Sequence, residues 1–144
     1  MTHTPAPREQ SIRVPVLWGL AFGAIQAALP LALRWLDQAT VQSLLLAVIA
    51  AVYIGFAVAD GRPRVIAVES TIAGAFFLLA AAGVTGSAWL LVLGYTGHGL
   101  KDFWQEHSHY VAGTRWWPPF CAAVDWLVAL VLATEIIAGA GFHH

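Results

Sequence analysis

Charge is the scarcest thing in this chain. Of 144 residues only 10% are Asp, Glu, Lys or Arg, where a soluble domain carries roughly 25%. The balance of seven basic against eight acidic residues leaves no basic surplus, which excludes a nucleic-acid partner. There is one cysteine, Cys121, so an internal disulfide and any multi-cysteine zinc site are excluded as well. No P-loop, nucleophile elbow or HExxH motif occurs. No internal repeat, low-complexity tract or composition break divides the chain, so residues 1–144 form one domain.

Apolar residues take the place of charge. They make up 59% of the sequence, and the mean hydropathy is +0.71. A chain this short cannot hide so much apolar surface inside a water-exposed globule, so the expected solvent is lipid. Five apolar stretches can be cut out, at 12–35, 40–59, 65–82, 87–106 and 119–140. Each comes near the roughly 20 residues that cross a hydrocarbon core, and backbone pairing in lipid makes them helices. The expected fold is an all-α integral membrane protein, a bundle of five transmembrane helices. Asp60-Gly61-Arg62-Pro63 reads as a turn and helix start, Gly83-Val84-Thr85-Gly86 as a break, and Trp116-Trp117-Pro118-Pro119 as the start of the last helix at interface depth. Residues 1–11 read as a disordered tail. The first stretch is too long for the apolar region of a signal peptide and reads as a retained anchor.

With five spans, Arg8, Arg13, Arg62, Arg64, Lys101 and Arg115 fall on one side and Arg34 alone on the other. The excess of basic residues predicts a cytoplasmic N-terminus and an outer C-terminus. The localisation that follows is the cell inner (plasma) membrane, crossed several times.

An ionisable side chain inside a span costs at least a few kcal/mol and needs a reason. Glu69, His98, Asp102 and Asp125 all fall inside spans. At the helical rise, Glu69 lies about 7 Å, Asp125 about 9 Å, Asp102 about 6 Å and His98 about 12 Å from the cytoplasmic face. Three helices therefore bring these groups into one slab. On the fourth span Tyr95, His98, Asp102, Gln105, Glu106 and His109 share a face of about 100°, while His107 points elsewhere. His98 and Asp102, four apart, can reach one ion or one substrate; on the fifth span Cys121 and Asp125 have the same spacing, and on the second Tyr53 and Asp60 share a face. The expected site is His98, Asp102, Asp125 and Glu69, as catalytic groups or as ligands of zinc or iron, with His109 as an additional ligand. Asp60, Glu106, His107 and His109 would stand at its mouth.

Each has a plainer alternative. Glu69 can be a protonated carboxyl bonded to a neighbour, and Asp125 can cap the fifth helix. Glu135 suits a contact with Arg34 or headgroups. Cys121 suits a small apolar filler. Lys101 and Arg115 suit snorkelling to the interface. Gly94, Gly97 and Gly99 suit close helix approach.

The run Gly97-His98-Gly99-Leu100-Lys101-Asp102, followed by Cys121-Ala122-Ala123-Val124-Asp125, resembles an uncharacterised family of small bacterial integral membrane proteins, a domain of unknown function. The likeness covers about the last third of the chain and matches at His98, Asp102, Cys121 and Asp125. The family's paired histidines are replaced here by Gln105 and Glu106, with His107 and His109 slightly later. What the resemblance implies is a shared polar site, without a reaction.

Three functions are compatible with these features. The first is an intramembrane enzyme whose polar site near the cytoplasmic face hydrolyses, hydrates or isomerises a lipid or isoprenoid, with a metal activating water or by acid–base chemistry alone. The second is a proton or metal-cation transporter, for which the apolar outer half supplies few polar steps, Gln26, Thr134 and Glu135 among them; a homo-oligomer could complete such a path. The third is an accessory subunit in which the polar groups serve packing. The partners expected are the bilayer and a hydrophobic small molecule.

Overall fold

The computed structural model describes residues 11–140 and 142. Nearly all of the expected tail, along with His143 and His144, lies outside them. Five helices follow one another: α1 Arg13–Ala32, α2 Gln38–Asp60, α3 Pro63–Thr85, α4 Trp89–Ser108 and α5 Trp117–Ile137. Four of them, α1, α2, α3 and α5, are long and apolar enough to cross a membrane. Their outer faces leave Leu17, Ile25, Leu31, Leu78, Leu130 and Ile137 more than half exposed, an apolar surface of the kind that lipid covers. The chain is a multi-pass membrane protein. The helix that falls short, α4, carries His98, Lys101, Asp102, Glu106 and His107.

Local chemistry explains most of the boundaries. Asp37 caps α2, accepting from the Thr40 N–H at 2.9 Å. Gly61 ends it in the left-handed region at φ 79°, where a Cβ would be strained, and Pro63 opens α3 at a position whose N–H is an orphan anyway. Two boundaries differ from the sequence reading. The run Gly83-Val84-Thr85 does not break the third helix, which continues to Thr85 and closes at Gly86. Gly83 is there for packing, since a Cβ would run into Leu91. The last helix begins at Trp117, so Pro118 and Pro119 sit within its first turn.

The helices alternate in direction. At one end the turn after α2 meets the α4–α5 loop: Arg62 bonds both carboxylate oxygens of Asp60 and the carbonyl of Tyr110, and the Ala112 N–H donates to Asp60 Oδ2 at 2.8 Å. Gln105 ties down the same loop by donating to the Val111 carbonyl and to Thr114 Oγ1. At the other end Glu135 of α5 accepts from Gln38 of α2. Arg34 is not its partner: the Arg34 Nε donates to the Leu31 carbonyl.

α4 lies along α5 and also touches α3 and α2, α2 lies along α3, and α1 lies along α5 with a smaller contact to α2. Small residues set these approaches. A Cβ on Gly19 would strike the Phe120 carbonyl and Ala123, and one on Gly23 would come within 3.1 Å of Val124 Cα, so a small-xxx-small pair seats α1 on α5. Gly94 admits Leu46 and Gly99 admits the Trp126 indole, as expected for α4; Gly97 is looser, with Phe76 at 3.7 Å. Because α1 and α4 both lean on α5 and hardly on each other, an open groove is left between them.

The cap of α2 gives a pH-dependent prediction. The Thr40 hydroxyl and then the Thr40 N–H hold the Asp37 carboxyl below its usual range. A lowered carboxyl pKa stabilises the fold above the unfolded value of about 3.9 and loses that contribution as pH falls below it. Asp37→Ala is expected to cost about 1 kcal/mol at neutral pH, and the gap from wild type should narrow below about pH 4. Thermal unfolding in detergent micelles across that range checks it; a gap that widens in acid contradicts it.

Candidate functional site

The inward face of α4 repeats at three and four residues, and Tyr95, His98, Asp102 and Gln105 are all buried on it. α5 brings Asp125 up to the same level. His98 donates through Nδ1 to Asp125 Oδ2 at 2.7 Å, and the same nitrogen stands 3.3 Å from Asp102 Oδ2. Asp125 therefore bonds His98 instead of capping α5. The rings of Tyr53 and Phe76 meet the imidazole edge-on, at 5.8 and 4.9 Å between centroids, and fix its plane. Both oxygens of Asp102 and Oδ1 of Asp125 lack a hydrogen-bond partner, although both carboxyls are wholly buried. A buried carboxylate left like this is costly unless a cation or proton meets it. His98, Asp102 and Asp125 each offer a ligand atom, all within 4.8 Å of one another, so this group can hold a metal ion.

Glu69 and Lys101 make a second pair beside it. Lys101 Nζ lies 2.6 Å from Glu69 Oε2 and 3.1 Å above the centre of the Tyr53 ring. Its side chain is only 9% exposed. This overturns the reading of Lys101 as a snorkelling interface residue: α3 packs on α4 and presents an acid at the depth of the amine, so pairing replaces escape to the surface. It also separates Glu69 from the His98 group, whose metal-ligating set has three members without it.

The mouth residues are dispersed. His109 ends α4 with φ 49° and is exposed, so it does not join the group as a ligand. His107 turns back to bond the Phe103 carbonyl through Nδ1. Asp60 is taken up by Arg62 and Ala112. Cys121 is a half-buried free thiol. Glu106 is half-buried, and its Oε2 has no hydrogen-bond partner.

Glu106 and Asp102 both line the groove between α1, α4 and α5, a space of about 620 Å³. Its walls are otherwise mainly apolar: Ile12 just before α1, Val16 and Leu20 from α1, Phe103 from α4, and Ala122, Trp126, Leu127 and Leu130 from α5. A site of a few polar groups in an apolar cleft of this size is the usual form for a small-molecule ligand.

Spacing alone did not bring out a third set of polar residues. Gln26 of α1 donates to the Tyr95 hydroxyl at 3.1 Å, and that hydroxyl donates to the Gln42 carbonyl of α2 at 2.8 Å. Gln42 and Ser43 are buried nearby, with Gln42 Nε2 and Ser43 Oγ unpartnered. Polar groups thus continue past His98 toward the Gln38–Glu135 end. The available signal was Gln42 four residues after Gln38, on the face of an apolar helix.

The fold and its buried groups define a class: a small multi-pass helical membrane protein with a buried histidine–carboxylate group beside an apolar groove. No family model, curated protein or solved structure matches the chain.

Proposed function

We propose that the protein is a membrane-embedded metal-dependent enzyme acting on a hydrophobic substrate, a lipid or isoprenoid, by hydrolysis, hydration or isomerisation. One observation carries this reading. Asp102 belongs to the buried His98–Asp102–Asp125 group and also lines the apolar groove, so a chain held in the groove places its polar part against the group. His98, Asp102 and Asp125 are the ligands for zinc or iron(II); one nitrogen and two oxygens suit either ion and leave positions for water or substrate. Such an ion lowers the pKa of bound water toward neutrality. Nδ1 is the ring nitrogen that faces both carboxylates, so an ion shared by the three residues would take the Nδ1 lone pair, with the imidazole proton on Nε2. A divalent ion together with Lys101 also balances the charges of Glu69, Asp102 and Asp125, which a low-dielectric interior favours.

The same reading has α4 cross the bilayer with the other four helices, enclosed by α2, α3 and α5. Arg13, Arg62, Arg64 and Arg115 sit at the end where α2 meets the α4–α5 loop, and Arg34 sits at the other. That asymmetry supports a cytoplasmic N-terminus in the plasma membrane. The resemblance of the last third to a family with H-x3-D and C-A-x2-D helices fits a shared site.

The test is turnover in proteoliposomes made with a total lipid extract and followed by mass spectrometry after a chromatographic step that separates isomers of equal mass. Wild type should consume at least one lipid species in a chelator-sensitive way, and Asp102→Asn should not. An unchanged lipid profile with folded, metal-loaded protein overturns the enzyme. A second reading, a proton or metal-cation transporter, is favoured by the buried Gln26–Tyr95–Gln42 chain, which supplies polar steps beyond His98. The same sealed vesicles with an internal pH or metal dye separate the two: ion flux lost in Asp125→Asn supports the transporter.

A further inference from the structure

The groove has a chemical bias in its polar lining. Four of its side chains have polar atoms: Asp102, Glu106, His107 and Trp126. The first two have buried carboxylate oxygens without a hydrogen-bond partner, both oxygens of Asp102 and Oε2 of Glu106. His107 spends its Nδ1–H on the Phe103 carbonyl at 2.8 Å, so the neutral ring keeps an acceptor at Nε2. The indole nitrogen of Trp126 lies over Gly99, against the backbone of α4. No arginine or lysine lines the space.

The backbone has the same bias. The start of a helix normally offers free N–H groups and favours anions. Here α5 starts beside the groove with Pro118 and Pro119 in its first turn, and proline has no N–H to give. This wall of the groove thus accepts hydrogen bonds and has little to donate.

We infer, resting on the groove as the substrate site, that its ligand is a single-chain amphiphile with a hydrogen-bond-donating head, an amine or an alcohol, and that long-chain acids and phosphates are rejected. The chain lies on the apolar walls of α1 and α5. The head meets Asp102 and Glu106. An amine adds a charge-assisted bond to each carboxylate it reaches. An acid or phosphate brings acceptors to a wall that has acceptors and almost no donors. The wholly buried, unpartnered carboxyl of Asp102 is the polar anchor that distinguishes this groove from an ordinary lipid-facing crevice.

The experiment uses full-length protein in nanodiscs of unbrominated neutral lipid. Four probes share one brominated saturated chain and differ in the head: amine, alcohol, carboxylate or phosphate. Bromine quenches nearby tryptophan, and the signal that disappears in Trp126→Phe is the groove's share. That share should be quenched by the amine and the alcohol at about tenfold lower mole fraction than by the acid or the phosphate, the ratio expected for one charge-assisted bond. Glu106→Gln should reduce the preference for the amine while leaving the chain bound. Equal quenching by all four heads, or stronger quenching by the anions, overturns the assignment of the head and leaves the groove as a chain site. Absence of any Trp126 share with every probe overturns both the head assignment and the groove as the substrate site.

Discussion

Protein purified in mild detergent is expected to carry about one zinc or iron(II) per chain, and His98→Ala, Asp102→Ala and Asp125→Ala are each expected to lose most of it. The expectation follows from three ligand atoms held within 4.8 Å and from the Asp102 and Asp125 oxygens that no protein donor satisfies. Altering a partner that only orients a ligand typically costs 10–100-fold in affinity, and deleting one of three ligands should cost no less. The comparison residues make the result specific. Glu69→Gln should keep its metal because Glu69 faces Lys101. His109→Ala should keep it because that side chain is exposed at the end of α4, and Cys121→Ser should keep it because the thiol is outside the group. Elemental analysis of matched, folded preparations reads all six variants against wild type. Metal absent from well-folded wild type, or lost equally in His109→Ala and Asp102→Ala, would sink the assignment.

Much of the fold was legible because hydropathy and turn chemistry act locally. The five apolar stretches became five helices, and Asp60-Gly61-Arg62-Pro63 became the turn its residues favour, with Gly61 at positive φ. Glycine was ambiguous because one residue serves opposite ends. At Gly61 its backbone freedom ends a helix; at Gly83 its missing side chain lets Leu91 approach and the helix runs on. His98 and Asp102 could be paired from one helix, and depth placed Asp125 beside them. The sequence did not show which partner on another helix each remaining group would choose. Lys101 has two ways to survive in an apolar setting, reaching for the interface or finding an acid. Only the packing of α3 on α4 selects the second. The same holds for Gln42 and Tyr95, whose bond joins two helices. The groove leaves no sequence signature, since it arises where α1 and α4 fail to meet.

Lys101→Met is expected to destabilise the protein by about 3–5 kcal/mol, the cost of stripping a buried charge of its partner. Both members of the pair are sheltered, Glu69 fully and Lys101 to 9% side-chain exposure, and Glu69 Oε1 already lacks a hydrogen bond. Without the amine, Glu69 must take up a proton or draw in water. The Tyr53 ring loses its cation as well, at a further cost of up to about 2 kcal/mol for a desolvated contact. The double variant Glu69→Gln, Lys101→Met removes both charges and should recover most of the loss, because an apolar replacement of a buried pair is often close to neutral. Unfolding of wild type, both single variants and the double variant in the same micelles gives the coupling between the two sites directly. A snorkelling Lys101 predicts a small loss in Lys101→Met and no coupling, which would remove the pair from the interior. The double variant should keep its metal, because Glu69 and Lys101 balance each other and leave Asp102 and Asp125 to the ion. Strong coupling with retained metal would divide the buried charges into a pair that holds α3 against α4 and a group free to do chemistry.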